Sequence, residues 1–182
     1  VTLNTATTAL TLNDTLISTA GGAGADGGAV GNGGNIVISD PLSIATGTVT
    51  FNTGTGSTAG DITTSTIDGD TGISLTYGGG TLSTGLVGSN TALAGVTYSG
   101  TSLTLNNNII TDSGIVDITA NVNLGADITI NTTNSGAGAA VTITGTVDGT
   151  QNLDILSGTA LTSITGDIGA GTPLTSLDIQ QA

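Results

Sequence analysis

Apolar and polar residues alternate in short runs along the whole chain. Examples are residues 73–77, 103–105, 116–118 and 141–143, where Ile, Val or Leu alternates with Thr, Ser or Asp. Period two with β-branched residues is typical of strands buried on one face. No segment has a helical period, and the helix formers Glu, Lys, Arg and Met are absent. The pattern therefore predicts an all-β chain of short strands.

These strands recur in a repeat. Another apolar residue often follows four places after a strand, as in the pairs Ile118/Val122 and Ile143/Val147. This spacing predicts two inward side chains, a polar corner and a third inward side chain. The C-terminal half then divides into coils at 115–140, 141–160 and 161–182, each too short to bury a core unless it stacks on its neighbours.

The predicted fold is therefore a parallel β-helix, or β-solenoid. At about 22 residues per coil, the chain forms a single segment over residues 1–182 with roughly eight short-strand coils. A Gly-rich loop at about 20–35 is expected to leave the coils laterally, and residues 78–95 are expected to be loose. A β-sandwich is the alternative, with hairpin turns at 68–69 and 148–149, but few aromatic residues are available for its core.

Composition removes most classes of chemistry. The 13 acidic residues are all Asp, there is no Lys, Arg, His or Cys, and the net charge is −13. Nucleophilic dyads, ordinary zinc sites and phosphate clamps are therefore excluded, and binding to nucleic acid is not expected. No apolar run is long enough for membrane insertion. We predict a protein that is not an enzyme, in an extracellular or cell-surface setting where divalent cations screen carboxylates.

Calcium is the one cofactor that the sequence suggests, and none is required. Asp68 and Asp70 flank a glycine and could share a cation with Asp61, and Asp26 lies in a partial match to a calcium-binding nonapeptide at 21–29. Ca²⁺ takes six to eight oxygen ligands, so backbone carbonyls and water would have to complete either site. The alternatives are a turn with solvated Asp and an exposed loop. Glycosidase chemistry would need a carboxylate pair such as Asp68 with Asp70, or Asp112 with Asp117.

Both ends of the sequence are strand-like rather than capped. Solenoids usually protect their terminal strands with polar elements, and residues 1–3 and 174–179 show none. We expect a junction with a further coil at these ends, either in a longer array or between separate chains stacked head to tail. A truncated segment is the remaining explanation. The expected junction residues are Val1, Thr2, Leu3, Leu174, Leu177 and Ile179.

Residues 102–133, 141–158 and 172–179, with the Gly-Asn turn before the strand at 36–38, resemble the repeats of filamentous-haemagglutinin-type giant adhesins. The resemblance implies a right-handed parallel β-helix, secretion to the cell surface, and a role as stalk, adhesin or matrix fibre. It implies no catalytic residues. The expected function is a structural subunit or repeat whose partner is itself. The alternatives are a calcium-supported adhesin module that binds through the 21–35 loop or an acidic face, and a polysaccharide-active β-helix.

Overall fold

The structure, a computed structural model, describes residues 1–3, 9–13, 15–21, 31–54, 59–69, 73–76 and 81–181, with the backbone alone for 74–76. Within these ranges the chain forms 19 strands. In chain order they are β1 (Thr2–Leu3), β2 (Leu10–Asn13), β3 (Leu16–Ser18), β4 (Ile36–Ile38), β5 (Leu42–Thr46), β6 (Val49–Asn52), β7 (Ile62–Thr64), β8 (Ile67–Gly69), β9 (Ile73–Thr76), β10 (Thr81–Thr84), β11 (Val96–Leu105), β12 (Ile109–Ile110), β13 (Val116–Leu124), β14 (Ile128–Asn131), β15 (Val141–Thr144), β16 (Val147–Asp148), β17 (Asn152–Leu156), β18 (Thr162–Ile164) and β19 (Ser176–Gln180).

The strands stack in three parallel columns. Column 1 contains β1, β4, β7, β10, the second halves of β11 and β13, and β16. Column 2 contains β2, β5, β8, β12, β14, β17 and β19, and Val87 bridges β8 to β12. Column 3 contains β3, β6, β9, the first halves of β11 and β13, β15 and β18. The chain visits the columns in the order 1, 2, 3 and then begins the next coil.

The register confirms the predicted solenoid and its coil length. In column 3, Val96 pairs with Val116, Val116 with Val141, and Val141 with Thr162, which are steps of 20, 25 and 21 residues. These positions match the predicted coil starts at 115, 141 and 161. Column 2 has seven strands and the Val87 bridge, hence eight levels, in agreement with the roughly eight coils expected.

The core is a set of aliphatic rows that run through the coils. Ile118 lies between Tyr98 and Ile143 in the register, and all three are fully buried. Burying one such side chain contributes about 1.5–3 kcal/mol. No single coil has enough of them to offset its ordering entropy, so stability depends on stacking. Burial also raises the pKa of the Tyr98 hydroxyl far above its ordinary value.

Threonine hydroxyls join the two sides of the corners that follow β3 and β6. The Thr19 hydroxyl donates to the Gly34 carbonyl, and the Gly34 amide donates to the Thr19 carbonyl at 3.0 Å. These bonds join the two described sides of the segment for which the lateral loop near 20–35 is predicted, and residues 22–30 lie outside the described ranges. In the next coil the buried Thr53 hydroxyl donates to the Gly60 carbonyl at 2.7 Å. The Thr19 amide donates to the Asn52 carbonyl, so the two corners stack.

Two sequence expectations are corrected by the strand pairing. The stretch 78–95 was expected to be loose, but it contains β10, which pairs with β7 and β11, and the bridging residue Val87. The alternation of apolar and polar residues is not visible in the sequence of β10, because Thr84 takes an inward position and is polar yet buried. Residues 68–69 and 148–149 do not form hairpins, because the strands that contain them pair in parallel with strands of other coils. The β-sandwich is therefore excluded.

Candidate functional site at the end coils and corners

The last described coil leaves part of the core row uncovered. In β19, Leu177 pairs with Leu153 and Ile179 with Ile155. Leu153 and Ile155 are 0% exposed, whereas Leu177 is 38% and Ile179 41% exposed. The same side-chain types in the same register thus differ only in whether another coil covers them. These two predicted junction residues therefore lie together on one strand, with apolar surface open to solvent.

The remaining predicted junction residues lie in the end coils too. Leu174 is half-buried and packs against the core near β19. At the other end, Thr2 pairs with Val37 and Leu3 with Ile38, and the partly buried Leu3 packs against the core. The Val1 amino group donates to the Asn35 carbonyl at 2.6 Å. The structure thus separates the six residues into two groups, one at each end of the columns.

The corners carry a second recurring feature that the sequence reasoning did not find. An Asp or Asn side chain at a corner accepts the backbone N–H of a residue one coil further along the chain. These hydrogen bonds are 2.7–3.1 Å long and always have the same direction, with the earlier coil accepting and the later coil donating. The acceptor–donor pairs are Asn35–Asp61, Asp61–Thr81, Asp68–Asn90, Asn108–Thr129, Asn121–Thr146, Asp127–Asn152 and Asp148–Gly171.

This feature gives the corner acids a structural role. A carboxylate that accepts backbone amides makes a charge-assisted hydrogen bond, which is stronger than a neutral one. Asp148 accepts from the amides of both Gly171 and Thr172, and the amides of Thr172 and Gly171 hold the pKa of its carboxyl below the usual value. The sequence signal that could have found these caps is an Asp or Asn at a corner, repeated at the coil period.

The two described calcium candidates, Asp68 and Asp61, both accept backbone amides. The Asp68 carboxylate accepts from the Asn90 amide at 2.8 Å, the Asn90 side chain at 3.0 Å and the Thr91 amide at 3.3 Å. Asp61 accepts the Thr81 amide at 2.7 Å. Asp70 and Asp26 lie outside the described residues. In the part of the chain that the structure describes, no group of three or more metal-ligating side chains occurs.

The second carboxylate pair considered for glycosidase chemistry is Asp112 with Asp117, and one of these residues lies in a corner and the other in a strand. Asp117 lies in the middle of a parallel run of β13, at an outward position that pairs with Thr97 and Thr142. Asp112 lies in the preceding corner, between β12 and β13, and is bridged to Thr133.

Comparison with known proteins adds no relative: no family model, no curated protein and no solved structure matches the chain. Within the described ranges, no helix has the length and apolar character needed to cross a membrane.

Proposed function

We propose that the chain is a stacking β-solenoid module of an extracellular filament or adhesin stalk, and that its end coils join to further coils of the same kind. The observation that carries the proposal is the exposed pair Leu177 and Ile179, which continue a row that is otherwise fully buried. A coil placed in register on β19 would bury both side chains and pair the free strand edge. The adjoining coil can belong to the same polypeptide or to a second chain.

The corner caps support a directed junction. Every described cap joins an acceptor in one coil to a donor in the following coil. Asp167 precedes Ile168, which bridges Val147, and so takes the position that Asn121 occupies two coils earlier. Its exposed carboxylate is therefore suitably placed to accept an amide from an added coil. Joining would be head to tail, and a heterologous contact of this kind extends without closing.

The extracellular setting rests on composition and on the adhesin resemblance. A chain with a net charge of −13 and no Lys or Arg offers no cleavage site to proteases specific for basic residues. Stacked coils have continuous backbone hydrogen bonding, which makes a stiff rod of the type that a stalk or matrix fibre needs. The adhesin alternative shares this scaffold and adds a ligand site in the 21–35 loop.

The test compares two double variants that add the same charge to the same strand. Leu177→Asp with Ile179→Asp places carboxylates in the exposed core row, whereas Ser176→Asp with Gln180→Asp places them on the outward side of β19. If the adjoining coil belongs to a separate chain, light scattering and electron microscopy should show end-to-end rods for the original chain and for the outward variant, and single units for the core-row variant.

A covalent tandem of two copies distinguishes joined repeats from separate subunits. If the single chain stays monomeric but the tandem unfolds at higher urea concentration than one copy, the coils stack within one polypeptide. If the single chain stays monomeric and the tandem unfolds like one copy, the stacking proposal is wrong.

A further inference from the structure

Three hydroxyl groups in the core have no protein partner. Thr64 is 6%, Thr84 3% and Tyr98 0% exposed. In the part of the chain that the structure describes, none of their side-chain oxygen atoms forms a hydrogen bond with another protein group. The other buried hydroxyls each donate to a backbone carbonyl, namely those of Thr53, Thr111, Thr132 and Ser157. Because a buried polar group without a hydrogen bond is costly, the three exceptions call for a partner from outside the chain.

The strand register places Thr64 beside Thr84. β7 pairs with β10 through the residues just before these two, so both side chains belong to one inward row of column 1. In that row Ile38 precedes Thr64 and Leu105 follows Thr84, and both of these aliphatic residues are buried. Polar side chains thus replace aliphatic ones at two successive levels, in the third and fourth coils.

Tyr98 reaches the same place from another side of the core. It lies in column 3 of the fourth coil, the coil to which Thr84 also belongs. Burial raises the pKa of its hydroxyl, and the nearby Thr84 hydroxyl opposes a smaller part of that rise. The two hydroxyls are close, although they do not bond directly to each other. One region of the core therefore holds three hydroxyls that come from two columns and two coils.

The chemistry of this cluster suits a water molecule. A hydroxyl has one donor and two acceptor lone pairs, and a buried water typically makes about three hydrogen bonds to polar groups that lack other partners. The cluster carries no formal charge, so it offers nothing to offset the desolvation of an ion. A Thr side chain has one heavy atom fewer than Ile or Leu, so the two threonines leave more room here than the residues at the neighbouring levels would.

We propose that the hydroxyls of Thr64, Thr84 and Tyr98 bind one buried water molecule between columns 1 and 3 of the third and fourth coils. The water links two coils and two sides of the core through polar bonds. These bonds form only when the two threonines and Tyr98 are aligned, a requirement that a purely aliphatic row does not impose. Because the site lies inside the rod and apart from the end coils, it does not depend on the stacking proposed above.

The experiment is a crystal structure of the full chain at a resolution that shows ordered water. The original chain should contain a water oxygen within hydrogen-bonding distance, about 2.5–3.0 Å, of at least two of the three hydroxyl oxygens. Thr84→Val with Tyr98→Phe removes two of the hydroxyls with little change in shape, so this water should be lost. Thr63→Val removes an exposed hydroxyl from the strand that contains Thr64 and should leave the water in place.

Two crystallographic outcomes would overturn the proposal. One is an original chain without such a water, whether or not the three hydroxyls then bond directly to one another. The other is a water that persists at the same place in the double variant, because it would then be held by groups other than these hydroxyls.

Urea unfolding provides a second measurement on a variant that keeps the aromatic ring. Tyr98→Phe removes one partner of the water, so the midpoint should shift to lower urea concentration, whereas Thr63→Val should change it much less. If the Tyr98 hydroxyl had no partner in the folded chain, its removal would relieve the cost of burying it. An unchanged or raised midpoint for Tyr98→Phe would therefore also overturn the proposal.

Discussion

Truncating Ile155 and Ile179 separately compares two levels of one core row. The two residues are paired in register in adjacent coils, yet Ile155 is 0% and Ile179 41% exposed. Ile155→Ala removes buried methyl groups and leaves a cavity enclosed by coils on both sides. Such truncations cost about 2–5 kcal/mol of the free energy of unfolding.

Ile179→Ala should cost much less in a single unit. Full burial of an Ile side chain contributes about 1.5–3 kcal/mol, and about two fifths of this residue remains in water, so truncation should cost roughly 1–2 kcal/mol. The open side also lets water fill the space, so the cavity contribution is small. A further coil in register would add about 0.6–1.2 kcal/mol for this residue by covering the rest of it.

The assay is urea unfolding at a concentration low enough that the chain is monomeric, with amide hydrogen exchange in β17 and β19 to localise the loss. Local measurement is needed because solenoids can unfold coil by coil. In the tandem of two copies, the cost of Ile179→Ala in the first copy should rise towards that of Ile155→Ala. Equal costs for the two substitutions in the single unit, or an unchanged cost in the tandem, would refute the reasoning.

Three further predictions concern the corners. Thr132→Val leaves the Ala139 amide and carbonyl without a partner, because both are bonded to the Thr132 hydroxyl at 2.8–2.9 Å. The substitution should cost about 1–3 kcal/mol in urea unfolding. An unchanged urea midpoint would contradict this role of the hydroxyl. Gly69→Ala should destabilise by more than about 1 kcal/mol, because φ is +148° and a Cβ would overlap the preceding coil's backbone, whereas Gly95→Ala meets only ordinary contacts and should be tolerated. The pKa of Asp148 is lowered in the folded chain by amide hydrogen bonds, so its contribution to stability is present above the unfolded value of about 3.9 and is lost as the pH falls through the lower folded value. Asp148→Asn should therefore flatten acid unfolding between those two pKa values, and an identical pH profile for the two proteins would show that the cap contributes nothing.

Much of the fold follows from the sequence because it depends on local alternation. The runs at 116–118 and 141–143, and the apolar residues Val122 and Val147 four places later, predict strands, a corner and the next inward side chain. The structure has them in that order, and Val122 pairs with Val147. The segment around β10 was missed because Thr84 is buried as a polar residue, and a hydropathy pattern cannot distinguish it from an outward Thr.

The candidate sites were less predictable. Leu177 and Ile179 could be recognised as an uncovered strand because their alternation repeats that of Leu153 and Ile155. The corner caps could not, since the Asp148 carboxylate and the Gly171 amide are 23 residues apart and meet only after the coils stack. For the same reason the sequence suggests Asp68 as a calcium ligand, whereas in the structure its carboxylate oxygens accept backbone amides.

Side-chain alternation and corner residues act over a few positions, so they are enough to establish that the chain is all-β, that its strands are short and where its C-terminal coils begin. Which strands pair and which acids cap a following coil are set only in the folded chain. These features depend on register between coils 20–26 residues apart. Register is set by packing of the whole core, and the local pattern of one coil does not contain it.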